Sequence, residues 1–572
     1  MFPWKNGLSG SSSDLAFAHA TLSRAGFYRS LGARSPLGLA RAAFGRHPGP
    51  WSILRYHAAN TPNKPAVIEG DRVLTYAQWD AAVDALAEGL RERGVGPGVS
   101  VIIMLRSRSE FPLTQGAVAR LGGIAASVYW KAPVDELRRL ASHCAARVIV
   151  FEAERAAVVR EAARDLEIPD DRCVAVGPAQ GLPTIASISR KPRWPLMDAS
   201  GRAGILMYTS GTTSGVPKGT LRTFPTGGLF PLLGVTDATR MRSDDIHLQT
   251  LPLHHGTAFG FVSMSHLLGS TVVILGDFEP RAMLRTIAAQ RVTHVSSGPA
   301  LLHRLVTDLS DEEIRAYDTS SLRAIYCAGT RLSVPLCKRL RELFGDILYN
   351  VYGATETGNN MVASPQELAT APGTIGRPVY GTSIWLRDEA GHEVPQGQIG
   401  EVFIESPTQL APYFKAPELW AQVARDGVAT TGDLGYRDEA GLVHILGRKS
   451  EVIATRGGPV IPVQVEQVFE RHPAVCEVAI FGSKDAQGRA RVTCVVVPHR
   501  GRALDEGELR RYAEAELAEH ARPELVCFRD VLPRNATGKV DKLLLAAELS
   551  RLERSDRGER NGVTHQVAQG AV

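Results

Sequence analysis

From residue 51 onward, short apolar runs alternate with longer stretches whose apolar positions recur every third or fourth place. The runs at 65–69, 99–105 and 148–152 predict buried strands, and the spacing over 53–61, 76–93 and 110–121 predicts helices, the second closed by Gly94. The same alternation returns later, with helices predicted at 280–290 and from 299, and strands at 292–296 and 321–326. Strands separated by helices of this size predict a layered α/β architecture. The stretch 153–203 reads as mixed and polar. After residue 378 the pattern changes to short strands at 383–386, 400–404 and 441–445 between glycine-bearing turns, as in a small β subdomain. A last unit follows, with helices at 463–470 and 504–520 and strands at 475–481, 492–497 and 523–528.

A chain of 572 residues exceeds one ordinary core. The expected division is an extension over 1–50, a large α/β domain over 51–446, a small mobile α+β domain over 447–552, and a disordered polar tail over 553–572. Hydrophobic residues make up 44% and charged residues 22%, a globular balance. No apolar run reaches the roughly 18 residues of a membrane-spanning helix. A net charge of +5 with no basic stripe argues against a nucleic-acid binder. The seven cysteines form no CxxC pair, which excludes a zinc-ribbon pattern and a disulfide framework and suits reduced thiols in the cytoplasm.

Between residues 14 and 47 five arginines mix with small and apolar residues, and no acid follows Asp14. Two readings stay open: a basic amphipathic stretch lying on the inner face of a membrane, or an extension packed on the main body. Gly32, Pro36, Gly38, Gly45 and Pro48 interrupt any long amphipathic face and favour the second.

The stretch 208–220 carries the densest chemistry. Ile205, Leu206 and Met207 read as a strand that ends in a loop holding Ser210, Gly211, Thr212, Thr213, Ser214, Gly215, Pro217, Lys218 and Gly219. Glycines let successive amides converge on an anion, hydroxyls add donors or metal ligands, and Lys218 adds a mobile cation. This is phosphate-handling chemistry. It is not the nucleoside-triphosphatase loop, because Gly219 follows Lys218 where Ser or Thr is needed.

The loop resembles the signature of the adenylate-forming superfamily, which includes acyl-CoA synthetases, and is one residue longer than the usual form. A second stretch, 352–357, contains Tyr352, Gly353, Thr355 and Glu356 at the end of an apolar run; the acid suits Mg²⁺ and the threonine a phosphate. The family carries this motif at the corresponding place. Asp433, in Thr431-Gly432-Asp433, suits a ribose diol, a role the resemblance implies. Arg448 resembles the family arginine that contacts ribose or phosphate, and Ser450 stands where the family hinge has Asp or Lys. Lys539, within Pro533–Lys542, matches the terminal motif whose lysine touches the carboxylate and α-phosphate. His255 aligns with a histidine at the acyl pocket. Adjacent residues on a strand face oppositely, so His254 and His255 are not a metal pair, and His254 reads as structural. Gly329 lies at a strand end, where open sheets bind ligands.

The resemblance therefore implies catalytic roles for Lys539, Glu356, Thr213, Lys218 and His255, with Glu356 and Thr213 toward the metal. ATP, Mg²⁺ and coenzyme A are the implied cofactor and co-substrates. The reaction expected is activation of a carboxylic acid through an acyl-adenylate, with AMP and pyrophosphate released. The stretch 253–265 has no acid to meet a substrate ammonium and offers Phe259, Phe261, Val262 and Met264, so a medium- or long-chain fatty acid is the expected substrate. Transfer to an acyl carrier protein or another acceptor is the alternative, because Pro459 and Val460 depart from the family's Gly-Gly-Glu-Asn form. A chain that has lost catalysis and serves as an interaction protein is the alternative of another class.

Overall fold

The computed structural model describes residues 12–30, 51–193, 196, 199, 203–208, 217–223, 229–406, 410–484, 488–535 and 539–551. The hydroxyl- and glycine-rich positions 209–216, and with them Ser210, Gly211, Thr212, Thr213, Ser214 and Gly215, lie outside the described residues. So do the basic stretch 31–50 and the tail from 552.

The apolar runs become strands of two mixed sheets. The larger has nine strands among the described residues. Its centre runs parallel in the order Leu348–Ala354, Ala324–Ala328, His294–Ser297, Ile246–Gln249, Thr271–Ile274, Pro65–Glu69. Antiparallel strands Gly358–Ala363 and Arg72–Thr75 flank it. The smaller sheet is parallel through Cys173–Val176, Val148–Glu152, Ser100–Met104, Ile124–Ser127 and Gly204–Tyr208, and Gly219–Thr223 closes it antiparallel. Strands buried on both faces lose the in–out alternation of an exposed sheet, which explains their unbroken apolar runs.

One core joins the two sheets. Val67 and Val272 from the first meet Val101, Val150 and Ile205 from the second through Trp79, Leu86, Phe111 and Phe259 of intervening helices. Helix Tyr76–Glu92 opens with a capping box between Thr75 and Gln78. At the edge of this core Arg120 is fully buried and pairs with Asp80 at 2.7 Å and Asp84 at 2.6 Å.

The β subdomain is an antiparallel sheet of Ser383–Arg387, Gly400–Glu405, Val428–Arg437, Ala424–Arg425 and Val443–Arg448. A 3₁₀ turn at Lys449–Glu451 leads to the C-terminal unit. There the hairpin Ile453–Thr455/Gly458–Val460 precedes a sheet of Val475–Lys484, Ala490–Pro498 and Leu525–Phe528, packed by helices Pro462–Phe469 and Glu506–Glu516.

Several expectations need correction. The polar stretch 153–203 contains helix Ala156–Asp165 and edge strand Cys173–Val176; the helix buries only Val159, Ala162 and Ala163, so most of its sequence is solvent-facing and reads as polar. The helix expected over 504–520 stops at Glu516, because Leu517 turns extended and Arg522 takes up the Glu514 and Leu517 carbonyls. The strand expected at 321–326 begins at Ala324 and continues to Ala328, in register with His294–Ser297. Of the N-terminal extension, helix Ser12–Arg24 and the turn Phe27–Ser30 pack on the body.

Candidate active site

The parallel strands of both sheets deliver their carboxyl ends to one cleft of ≈ 1700 Å³. Val128 and Tyr129, Met207 and Tyr208, Leu251, Pro252, His254 and His255, Ala328 and Gly329, and Gly353 through Glu356 all end or follow such strands and line it. The β subdomain adds Thr431 and Arg448, and the C-terminal unit adds Lys539.

Asp433 and Arg448 are cross-strand partners in the β subdomain, which brings the guanidinium Nε to 2.9 Å from the carboxylate. The Tyr352 hydroxyl donates to the other carboxylate oxygen at 2.6 Å. That leaves the phenol oxygen to accept from Thr431 Oγ1, 3.0 Å away. Burial and the neighbouring Asp433 charge hold the Tyr352 pKa far above its ordinary value, so it stays a donor. The result is a fixed, mostly buried carboxylate at the cleft wall, fit to accept from two sugar hydroxyls.

Glu356 sits in the turn between Leu348–Ala354 and Gly358–Ala363. Its carboxylate accepts from Tyr413 Oη at 2.8 Å, its carbonyl accepts from Ala411 N at 2.8 Å, and Arg222 donates to the Thr355 carbonyl at 3.0 Å. The turn needs a glycine at 353, since a Cβ there would lie 2.0 Å from the Gly358 carbonyl oxygen. Among the described residues no group of three or more His, Cys, Asp or Glu side chains could hold a metal. One oriented carboxylate on a cleft still fits Mg²⁺, which keeps several waters and takes phosphate oxygens as its other ligands. Thr213, the other expected ligand, lies outside the described residues.

Lys218 and Lys539 both line the cleft. Asn535 braces the loop that carries Lys539, with its Oδ1 accepting from Lys539 N at 3.1 Å and its amide donating to the Lys539 carbonyl at 2.9 Å. The ammonium is exposed to the cleft yet closely walled by protein. That burial and the Arg448 charge lower its pKa, against the opposing pull of Asp433, Glu451 and Glu356. The C-terminal lysine thus shares one cleft with Glu356, and the Asp433 carboxylate is near enough to oppose its pKa shift. Gly329 is there too, at φ +98° with open space where a side chain would project.

His254 and His255 lie in the turn before helix Gly256–Leu268, not on a strand, and both line the cleft. Their rings are 4.2 Å apart, so the opposite-facing arrangement expected of a strand does not occur. Burial and the His255 neighbour lower the His254 pKa well below the ordinary value and keep that ring neutral. Beyond them the wall is apolar: Leu232, Val235, Phe259, Met264 and Leu267, with Gly260 and Ser263 between.

The model of the AMP-binding enzyme family matches residues 54–414, and that of the AMP-binding enzyme C-terminal domain matches 464–539. The chain belongs to the AMP-binding enzyme family. It is 31% identical over 495 residues to an indoleacetate–CoA ligase of Aromatoleum aromaticum, a match covering 85% of this chain and 95% of the relative. It superposes with a TM-score of 0.77 on the amide bond synthetase McbA of Marinactinospora thermotolerans, 26% identical, over 87% of this chain and 99% of that one. ATP-bound MatB of Rhodopseudomonas palustris gives a TM-score of 0.78 at 26% identity, over 87% and 98%.

This AMP-binding enzyme is an AMP-forming ligase, with the two-domain α/β architecture its sequence predicts. The structure brings Lys218, Gly329, Gly353, Thr355, Glu356, Arg448, Lys539 and His255 to the cleft, with Asp433 and Tyr352 behind its wall. The site reading from sequence omitted Tyr413, named Thr431 only as part of the Asp433 motif, and took His254 as structural, while all three line the cleft. No motif marks Tyr413, which reaches Glu356 from 57 positions away.

Proposed function

We propose that this AMP-binding enzyme activates an apolar carboxylic acid as its acyl-adenylate and passes the acyl group to the thiol of coenzyme A. The observation that carries the reading is the joint placement of Lys539, Asp433, Arg448 and Glu356 around one cleft whose far wall is apolar. A carboxylate oxygen attacks the α-phosphorus of ATP; the new O–P bond forms as the bond to pyrophosphate breaks. Asp433 and Arg448 hold the ribose end. Lys539 and Lys218 place ammonium groups where oxygen charge builds during attack. Glu356, held by Tyr413, would carry Mg²⁺, which supplies charge neutralisation on the phosphates. The thiol then adds to the acyl carbonyl and AMP leaves.

The substrate reading is an acid with an uncharged body. A buried ammonium would find no carboxylate partner among Leu232, Val235, Phe259, Met264 and Leu267. Those side chains accept an alkyl chain or an aromatic ring alike, so the fatty acid expected from the sequence is one member of the class. Indoleacetate, named for the relative above, is another. A different acceptor is the second reading. It is favoured by Pro459 in the hairpin Ile453–Thr455/Gly458–Val460, whose ring removes an amide donor from the strand.

Pyrophosphate release from MgATP with a panel of alkyl and aromatic acids tests the first step. Acyl-CoA formation with added CoA tests the second, against holo-carrier protein and amines as rival acceptors. Release with no acid in the panel would overturn the reading, and pyrophosphate without thioester would move it to the second acceptor class.

A further inference from the structure

Residues 12–30 precede the family match, and the proposed chemistry makes no use of them. They nonetheless press on the wall of the cleft from behind. Helix Ser12–Arg24 packs against helix Leu229–Ala238 and against Tyr380. The Tyr380 hydroxyl donates to Asp14 at 2.8 Å, and the Phe17 ring stacks on Tyr380 with centroids 3.7 Å apart and planes 8° from parallel. The backbone of Tyr380 in turn abuts Gly234 of the second helix, where a Cβ would come within 2.8 Å of the Tyr380 carbonyl oxygen. Arg24 pairs with Asp237 on the same helix.

The apolar contacts run through to the cleft. Leu22 and Ala25 share one buried cluster with Leu232, Val235, Phe261 and Met264. Leu232, Val235 and Met264 also line the cleft at its apolar end. The same three side chains therefore belong both to the cluster that takes in Leu22 and Ala25 and to the lining of the cleft. Cores are close-packed, so a side chain with a neighbour fixed behind it has little room to retreat when a ligand presses on it.

We propose that residues 12–30 are a strap that sets the depth of the acid-binding end by backing helix Leu229–Ala238, and so determine how large an acid the enzyme accepts. The proposal rests on the reading of that end as the acid site. Asp14, Phe17, Leu22 and Arg24 are positioning residues in this scheme, since none of them lines the cleft.

The test compares the full chain with Phe17→Ala/Leu22→Ala and, as a milder variant, Asp14→Asn/Phe17→Leu, by acid-dependent pyrophosphate release over a graded series of alkyl and aromatic acids. The expected result is a shift of about tenfold in the kcat/KM ratio of the largest to the smallest accepted acid, in favour of the largest. That is the low end of what one methylene of pocket space is worth. KM for ATP should stay within about twofold. A uniform loss across all acids, or a ratio unchanged in both variants while the wild type turns over, would overturn the strap alone. A wild-type enzyme that responds to no acid would overturn the proposed function, and the strap with it.

Discussion

The shortest bond Asp433 makes in the nucleotide wall is to Tyr352, at 2.6 Å, although Arg448 is its cross-strand partner. The phenol and the guanidinium each hold one carboxylate oxygen and fix the plane of the group just behind the cleft wall.

On the proposed function, removing the Tyr352 hydroxyl loosens the ribose grip without touching the acid site. A hydrogen bond to a charged group contributes about 1.5–3 kcal/mol, so Tyr352→Phe should raise KM for ATP by about tenfold or more. KM for the carboxylic acid should stay within about twofold. Steady-state pyrophosphate release under variation of each substrate measures both.

Lys539→Ala removes a cleft-lining cation that the proposed mechanism sets at the forming bond. Loss of one preorganised electrostatic donor costs about 2.7–4 kcal/mol of barrier, so the adenylation rate should fall roughly 10²- to 10³-fold. The thiol step, started from synthetic acyl-adenylate, should be far less affected. Rapid-quench measurement of the two half-reactions separates them.

The pH dependence follows from the same residue. Burial and Arg448 lower the Lys539 pKa, so the ammonium loses its proton below the ordinary lysine range. The charged form is the active one. Adenylation should thus decline on the alkaline side earlier than an unperturbed lysine would allow. Lys539→Arg, which stays protonated, should remove that alkaline limb even where its overall rate is lower. An unchanged alkaline limb in this variant would show that another group titrates.

Arg331, in the loop after strand Ala324–Ala328, pairs with Glu470 and lies 3.8 Å from Glu466, both on the C-terminal domain. Glu466 is sealed in turn by Lys542 at 2.9 Å and the Ile480 amide at 3.0 Å. This is the most buried ionic tie of the large domain to the residues that carry Lys539. Glu470→Gln should slow adenylation several-fold, about what a loss near 1 kcal/mol gives. Raised salt should narrow the difference between variant and wild type.

Arg120 is fully buried between Asp80 and Asp84. Arg120→Ala leaves two carboxylates in the core edge without their shared cation and should cost about 3–5 kcal/mol. Denaturant unfolding of the large domain reads this directly. Arg120→Met with Asp80→Leu should recover part of the loss, since it removes one of the two carboxylates while Asp84 keeps Arg55 at 3.1 Å.

The strand ends were legible because buried parallel strands leave continuous apolar runs, and Pro65–Glu69 and Val148–Glu152 begin and end where the pattern puts them, as does the helix Pro280–Gln290. Motif residues Glu356, Asp433, Arg448 and Lys539 stood out for their chemistry, and they gather at one cleft. Contacts spanning large sequence separations left no local mark. Tyr380 meets Asp14 across 366 positions, and neither residue has a spacing that announces the other. The helix Leu229–Ala238 was missed because it is apolar on most sides, so it carries no 3.6-residue stripe. The opposite facing expected of His254 and His255 fails because a turn, rather than a strand, sets their directions.

Arg448 is the last residue of its strand, and the turn Lys449–Glu451 begins directly after it. In the proposed reaction, a joint placed one residue later lets the small domain turn while Arg448 stays on Asp433. A joint one residue earlier would tear that grip open with every swing. The reaction requires the nucleotide half of the intermediate to stay put while the other half changes partners. On that reading, the boundary between what holds and what moves is drawn through the single peptide bond between Arg448 and Lys449.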